Sequence, residues 1–442
     1  MEINTELGRL LSKLLQEKIT SPESMSQMEQ ITREAALEIG RQALNQWLID
    51  LQDKSPEKSH PCPYCKQDAA YKRERQGKLR TVLGVVYCRR AYYLCPECQS
   101  GHYPLDQALG LRPNRMSAEL ERLGGMAGVQ APFGQGSQMF EALTLVGLSD
   151  HSLAKATQAY GAEMEQIEEE WGREALDEEV LLRQKREKKG PLRLYGAVDA
   201  AKVHLREEEG DAWRDLKIGA WFEARGRPPQ KPEGDWQIKA DKISYYTDIC
   251  PSKEFSPLIW ATGVQQLAHL ARELIFLGDG AEWIWNNVAE NFPNAVQILD
   301  WFHACEYLAP VAKVAFATKE RQQTWVAEMK AALWDGQVQQ VIDSCLSLVD
   351  ATREEDPAAK AATYYDNNRS RMDYPSYRAQ GYHIGSGTIE SGAKQIGSQR
   401  MKVAGARWNK ESARYVAKAR AAFLSGQWEM LASRRKQLPL AI

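Results

Sequence analysis

Two Cys-Pro-x-Cys pairs, Cys62-Pro63-Tyr64-Cys65 and Cys95-Pro96-Glu97-Cys98, constrain this chain more than any other feature. Each turn aims two thiolates at one point, and four thiolates close a tetrahedral shell around zinc. The 29 residues between the pairs carry β-type runs at 81–87 and 91–94, so the pattern predicts a zinc ribbon over 60–104. The separation exceeds the usual linker of roughly 15–20 residues, and two other readings stay open: a redox dithiol, or unrelated buried cysteines. A shell of Cys62, Cys65, Cys95 and Cys98 leaves no open position, so such a zinc is structural. Cys88 and His60 are alternative ligands, whereas Cys250, Cys305 and Cys345 read as ordinary buried thiols. Lys72, Arg73, Arg75, Lys78 and Arg80 give this region positive charge suited to phosphate contact.

A chain of 442 residues holds about two to four domains. With 43% hydrophobic and 26% charged residues it has the makings of a folded core. Apolar runs such as 274–278 fall far short of the roughly 18 residues of a membrane helix. The start, Met1-Glu2-Ile3-Asn4, shows no secretory signal, so no membrane partner and a cytoplasmic home are expected.

Helical periodicity marks 1–59, first through Leu7, Leu10, Leu11, Leu14 and Leu15, then through Ile31, Leu37, Ile39, Leu44, Trp47, Leu48 and Leu51. Residues 105–188 are again helical. Within them Met139, Phe140, Leu143 and Leu145 lead to Gly147-Leu148, and a second helix starts after Ser149 as N-cap. Helix, glycine turn, helix is the outline of a DNA reader that would present His151, Ser152, Lys155 and Gln158 to a groove, although any αα-hairpin has the same outline. A charged helix over about 161–188 precedes Gly190-Pro191.

Beyond Pro191 short β-type runs at 192–198, 203–205, 218–222, 274–277 and 296–299 alternate with helices, which predicts an α/β domain with a mixed sheet. The boundaries expected are 189–300 for its first part, 301–380 for an all-α insertion, and 381–442 for its last part with a basic C-terminal helix. The overall charge of −2 hides a strong asymmetry: residues 394–436 carry eleven Lys/Arg against two acids, a local charge of +9 that suits a polyanion.

Asp199 and Asp279 each end an apolar run, and Glu390 follows the glycine-rich Gly385-Ser386-Gly387-Thr388-Ile389 at the start of a helix. Carboxylates delivered to one sheet edge are hard oxygen donors that suit magnesium or manganese, and two such ions roughly 3.5–4 Å apart serve phosphoryl transfer. A lone Asp after an apolar run is more often a turn residue; here two of them, a helical insertion, a Gly-rich loop, a helical Glu and a basic tail occur in order.

These residues resemble those of bacterial insertion-sequence transposases of the Asp-Asp-Glu type, in the Kra-type group. The resemblance covers most of the chain. It is carried by Tyr195-Gly196-Ala197-Val198-Asp199, by Leu277-Gly278-Asp279-Gly280-Ala281-Glu282-Trp283-Ile284, by Ile298-Leu299-Asp300-Trp301-Phe302-His303, and by Gly385-Ser386-Gly387-Thr388-Ile389-Glu390-Ser391-Gly392. It implies an RNase H-like catalytic domain with Asp199, Asp279 and Glu390 as the catalytic triad, Asp199 bridging two Mg²⁺ or Mn²⁺ ions and the other two completing one shell each. The Asp300-x-x-His303 pair resembles an Asp/Cys-x-x-His signature of Mutator-like and related transposases that lies near the active site; a strand-end Asp with a helix-packing His is the other reading.

The activity so implied is cleavage of double-stranded DNA at the element ends and transfer of the freed 3′ end into target DNA. Lys394, Arg400, Lys402, Arg407, Lys410, Arg414 and Lys418 would hold phosphates. Trp408 would stack on or wedge against a base, unless it packs in the core. Synapsis of two ends calls for a homodimer or larger assembly, with the N-terminal helices as one interface and the nucleoid as the place of action. A zinc-ribbon DNA-binding regulator with an inactive catalytic domain, and a nuclease that cuts without joining, are the alternatives.

Overall fold

The computed structural model describes Lys13 and residues 24–51, 56–111, 116–206, 212–232, 234 and 236–437. The predicted first helix, through Leu7 to Leu15, lies outside the described residues. The chain divides into two compact units, one holding the described residues up to Tyr160 together with those from Glu429, the other Gly161–Trp428. No described helix is long and apolar enough to cross a membrane.

The first unit opens with a helix over Met25–Asp50, whose Ser24 hydroxyl accepts the Gln27 amide. Its periodic apolar face is only partly used: Leu48 packs with Leu79, Val86, Cys88 and Leu111, while Trp47 and Leu51 are exposed. Strands β1 (Ser59–Pro61), β2 (Asp68–Thr81), β3 (Gly84–Leu94) and β4 (Gly101–His102) form an antiparallel sheet in chain order. The β2–β3 register, Thr81 opposite Gly84, leaves a two-residue turn in which the Thr81 hydroxyl accepts the Leu83 amide. Helices Ala118–Gln130, Phe133–Thr144 and Asp150–Ala175 follow, and in the first unit Leu120, Ala127, Phe140, Leu148, Leu153 and Ala156 form their core. The middle helix stops before the predicted glycine, at Leu145, which takes the left-handed conformation with φ 61°. The Ser149 hydroxyl accepts the Ser152 amide and so caps the next helix. That helix runs on to Ala175, and the charged stretch continues as a separate helix Glu178–Glu187 capped by Asp177, rather than as one helix over 161–188.

The second unit is built on strands β5 (Arg193–Leu205), β6 (Ala212–Arg225), β7 (Lys239–Asp248), β8 (Glu273–Gly278) and β9 (Val296–Leu299). Among the described residues they form one mixed sheet in the order β7-β6-β5-β8-β9, the β7-β6-β5 pairs antiparallel and the β5-β8-β9 pairs parallel. Two features differ from the sequence reading. The runs 192–198 and 203–205 belong to one long strand, and β7 escapes the apolar pattern because only its second half, Tyr245 to Asp248, is buried. Trp221 anchors the core, its indole N–H donating to the Thr262 hydroxyl at 3.0 Å and its rings against Tyr246, Phe276 and Phe292. Between Trp301 and Ala379 the helices are Trp301–Glu306, Leu308–Ala315, Lys319–Trp334, Val338–Leu346, Pro357–Asn367 and Tyr374–Ala379. Helix Gly387–Ala393 follows and runs into a π-helical segment, Lys394–Met401, before helices Lys410–Leu424 and Trp428–Gln437.

Candidate active site and metal centres

The cysteine pairs come together as two matching knuckles. The Cys62 amide bonds the Gln67 carbonyl at 2.8 Å and the Cys95 amide bonds that of Ser100 at 2.9 Å. The residue after each second cysteine, Lys66 and Gln99, has positive φ, which turns each loop back on itself. The four Sγ atoms lie within 4.8 Å of one another, with Cys62–Cys98 at 3.6 Å and Cys65–Cys95 at 3.4 Å. Tetrahedral zinc with bonds of about 2.3 Å separates its sulfurs by about 3.8 Å, so these cysteines are close enough to bind zinc. The alternative ligands fall away. Cys88 packs in the apolar cluster of Leu48, Leu79 and Val86, and His60 turns Nδ1 toward His102 Nε2 at 3.4 Å.

In the second unit, sheet register sets the site. Ala197 pairs with Leu277, and Leu277 with Ile298; two residues further along, Asp199 lies within β5, while Asp279 and Asp300 are the first residues beyond the ends of β8 and β9. Side chains alternate across a sheet, so residues two apart share a face. The ladder continues past β9, where the Asp300 amide donates to the Gly278 carbonyl at 2.8 Å. In α/β sheets this carboxyl edge is where ligands gather.

The three aspartates differ in environment. Asp199 is half-buried and accepts the Ala200 amide at 2.7 Å. Burial pushes its carboxyl above the usual carboxylate range; the Ala200 amide opposes this, the charge of Asp279 adds to it, and His303 and Glu390 contribute in opposite senses. Asp279 caps the turn into helix Glu282–Asn291 by accepting the Ala281 amide at 2.9 Å, and its own carbonyl accepts the Tyr364 hydroxyl at 2.7 Å. Tyr364 stacks on Tyr307 with ring centroids 3.8 Å apart.

Asp300 is fully buried and fully engaged. Its Oδ1 accepts the His303 amide at 2.7 Å and the His303 Nδ1–H at 2.9 Å, and its Oδ2 accepts the Ser386 amide. Hydrogen bonding to Asp300 raises the His303 imidazole to about 9, with burial opposing, so at neutral pH a cation stands among the carboxylates. The Trp301 amide holds the Ile384 carbonyl at 2.9 Å, and the Ser386 hydroxyl donates to Glu390 Oε1. Asp300 therefore pins the loop that aims Glu390. One donor atom each of Asp300, His303 and Glu390 lie within 4.8 Å of one another; Asp199 and Asp279 stand outside that tight group.

Two glycines let the Glu390 helix lie down on the sheet. A Cβ on Gly392 would meet Tyr245 Cε1 at 2.4 Å, and one on Gly397 would meet Ala201 Cβ at 2.5 Å. Gly397 lies in the π segment, where an α-helical continuation was expected; π turns are often found at functional sites.

The basic residues predicted to hold phosphate sort into two groups. Lys394, Lys402, Arg407 and Lys410 are exposed. Arg400, Arg414 and Lys418 are corrections, because the fold uses them internally. Arg400 is 2% exposed with its guanidinium 5.3 Å from the Trp408 ring centre, and Trp408 is itself half-buried, donating to the Met401 carbonyl. Arg414 bonds Asp248 and Glu165 at 2.6 Å each. Lys418 pairs with Glu168 and with Asp248, the latter at 3.1 Å, and is 2% exposed. Replacing Lys418 by alanine leaves the buried Glu168 carboxylate uncompensated, while Arg414 still pairs with Asp248, and is expected to cost about 3–5 kcal/mol, read from urea unfolding. A loss within experimental error of zero would show the network to be idle. In the first unit His151 and Lys155 are exposed, while Ser152 is a correction: its hydroxyl is buried between Ser149 and Arg80.

Sequence reasoning passed over Ser386 as a loop residue, Tyr364, and His383. A serine four residues before a helical Glu, at the helix entry, was the available signal for the first. His383 packs edge-on against Tyr195 and Phe222, and burial drives its imidazole down to about 4, with Asp300 opposing. The unfolded chain binds this proton from about pH 6.5 downward, so its contribution to stability is complete above that pH and is lost on acidification toward 4. His383→Phe is expected to remove about 3 kcal/mol of pH dependence between those limits; chemical unfolding at several pH values checks it, and unchanged slopes would refute it.

No protein-family model matches the chain, and no curated protein matches it.

Proposed function

We propose that the chain is a metal-dependent DNA transposase of the Asp-Asp-Glu, Kra-type insertion-sequence group, with an RNase H-like domain whose catalytic residues are Asp199, Asp279 and Glu390. The observation that carries this reading is that Asp279, just past the carboxyl end of β8, and Glu390, on its helix, both act by their charge on Asp199 in the neighbouring strand β5, although the three do not close into one tight group. A carboxyl such as Asp199, raised by burial and further by neighbouring negative charge, suits a divalent cation, and hard carboxylate oxygens suit Mg²⁺ or Mn²⁺. When bound, such ions polarise a phosphate oxygen and activate the attacking hydroxyl.

The chain's own residues then divide the work. Asp199, Asp279 and Glu390 hold the ions, Ser386 and Asp300 fix Glu390, and the exposed Lys394, Lys402, Arg407 and Lys410 neutralise DNA phosphates. In the first step water attacks the phosphorus at the element end, the P–O3′ bond breaks, and a 3′-hydroxyl is freed. In the second that hydroxyl attacks a target phosphodiester and displaces a new 3′-hydroxyl, so bonds made equal bonds broken. The cysteine ribbon and the helix carrying His151 and Lys155 serve end recognition, with a dimer or larger assembly pairing two ends and the nucleoid as the site of action.

The test is incubation of the protein with labelled DNA ends and Mg²⁺ or Mn²⁺. Nicked and joined products support the reading. Nicking without joining means a nuclease, and tight DNA binding with neither reaction means a regulator.

A further inference from the structure

We infer that the outward face of helix Met25–Asp50 is a self-complementary interface on which a second copy of this chain seats antiparallel, helix against helix. Met28, Thr32, Ala36, Ile39, Ala43 and Trp47 follow one another at three- and four-residue steps and so form one stripe, on the side away from Leu44 and Leu48, which pack onto the sheet. Met28 and Trp47 are 44% and 67% exposed, Thr32, Ala36 and Ala43 are exposed, and Ile39 is half-buried. A single exposed apolar residue means little, whereas a continuous stripe over roughly 28 Å of helix marks a contact surface. Its one polar member is already satisfied: the Thr32 hydroxyl donates to the Met28 carbonyl at 2.7 Å, so covering it strands no donor.

The order of the stripe selects the occupant. Its steps are 4, 4, 3, 4 and 4 residues, the same read in either direction. Two copies related by a two-fold axis between Ala36 and Ile39 therefore lay every member on another: Met28 on Trp47 of the second copy, Thr32 on its Ala43, and Ala36 on its Ile39. The small residues lie near the crossing, where helix axes approach to about 8 Å, and the large ones lie at the ends. The flanks agree, since Glu29 comes to Gln46 and Arg33 to Gln42, and no like charges meet. Parallel pairing would set Trp47 on Trp47 and Glu29 beside Glu29. Two such stripes bury roughly 1,000 Å² in total, the low end for a specific interface, so micromolar dimerisation is expected.

The inference names a surface for the assembly proposed above and needs no DNA chemistry. The experiment is sedimentation equilibrium of the full chain without DNA. A monomer–dimer equilibrium is expected, weakened about tenfold or more by Trp47→Lys and by Met28→Glu, with circular dichroism and thermal unfolding unchanged because both positions are exposed. The double variant Met28→Glu with Trp47→Lys is expected to dimerise about tenfold more tightly than either single one, because each new carboxylate then faces the other copy's new ammonium. A monomeric unaltered protein, full association in Trp47→Lys, or a double variant no tighter than the singles overturns the interface. So does a monomer whose thermal stability falls in Trp47→Lys, which would mean that the same chain covers the stripe. A protein that passes these tests and joins no DNA ends sinks the transposase reading alone.

Discussion

Asp279→Asn is expected to lower metal-dependent strand cleavage by about 10³-fold or more while leaving the fold and DNA binding intact. The Asp279 carboxylate accepts the Ala281 amide, and an asparagine carbonyl accepts that bond equally well. What asparagine cannot supply is the negative charge. Its loss also removes one of the like charges that raise Asp199, so that carboxyl moves back toward its ordinary range and the pull on a cation weakens. Asp300→Asn is expected to behave differently, with a smaller loss of about 10–100-fold, because Asp300 acts through His303 and Ser386. The measurement is a single-turnover cleavage rate on a labelled end. Equal rates for Asp279→Asn and the unaltered chain would remove Asp279 from the reaction.

Cys95→Ser is expected to cost the ribbon its zinc and the structure of its knuckle end. The core beneath the knuckles consists of Cys62, Ala69, Tyr93 and Cys95, with Tyr71 and Ala91 at its edge, too little apolar area to hold the knuckle end of the sheet by itself, while the far end packs on Leu48 through Leu79 and Val86. Structural zinc in small fingers is worth about 10–16 kcal/mol of apparent binding energy, and an ion held by these four cysteines would couple that quantity to folding of the ribbon. Zinc content should fall to background and amide-exchange protection at the knuckle end of β2 and β3 should collapse, whereas Cys88→Ser should keep zinc binding because Cys88 packs with Leu48 and Val86. Full zinc content in Cys95→Ser would mean that the ion sits elsewhere.

Much of the site is legible locally. A Cys-Pro-x-Cys turn folds on itself through near-neighbour bonds, so both knuckles are written in six-residue windows. A buried parallel strand reads as an apolar run, and the residue after it must leave the sheet; Asp279 and Asp300 follow directly. The basic tail shows what local reading lacks. Lys394 and Arg400, Lys410 and Lys418 are the same chemistry on paper, and nothing nearby in sequence tells an exposed cation from one buried against Glu168, 250 residues away.

What the sequence by itself determined, then, is the set of donors: four thiolates, aspartates that close apolar runs, and a helical glutamate. Each depends on chain neighbours, through turn geometry and the period of apolar residues. Which donors meet was decided only by tertiary structure. Strand pairing brought Asp279 and Asp300, just past the ends of β8 and β9, beside the strand that carries Asp199, and Asp300 drew His303, Ser386 and Glu390 into one hydrogen-bonded group. Register and packing are properties of pairs of distant segments, and a pairing energy has no expression in either segment alone.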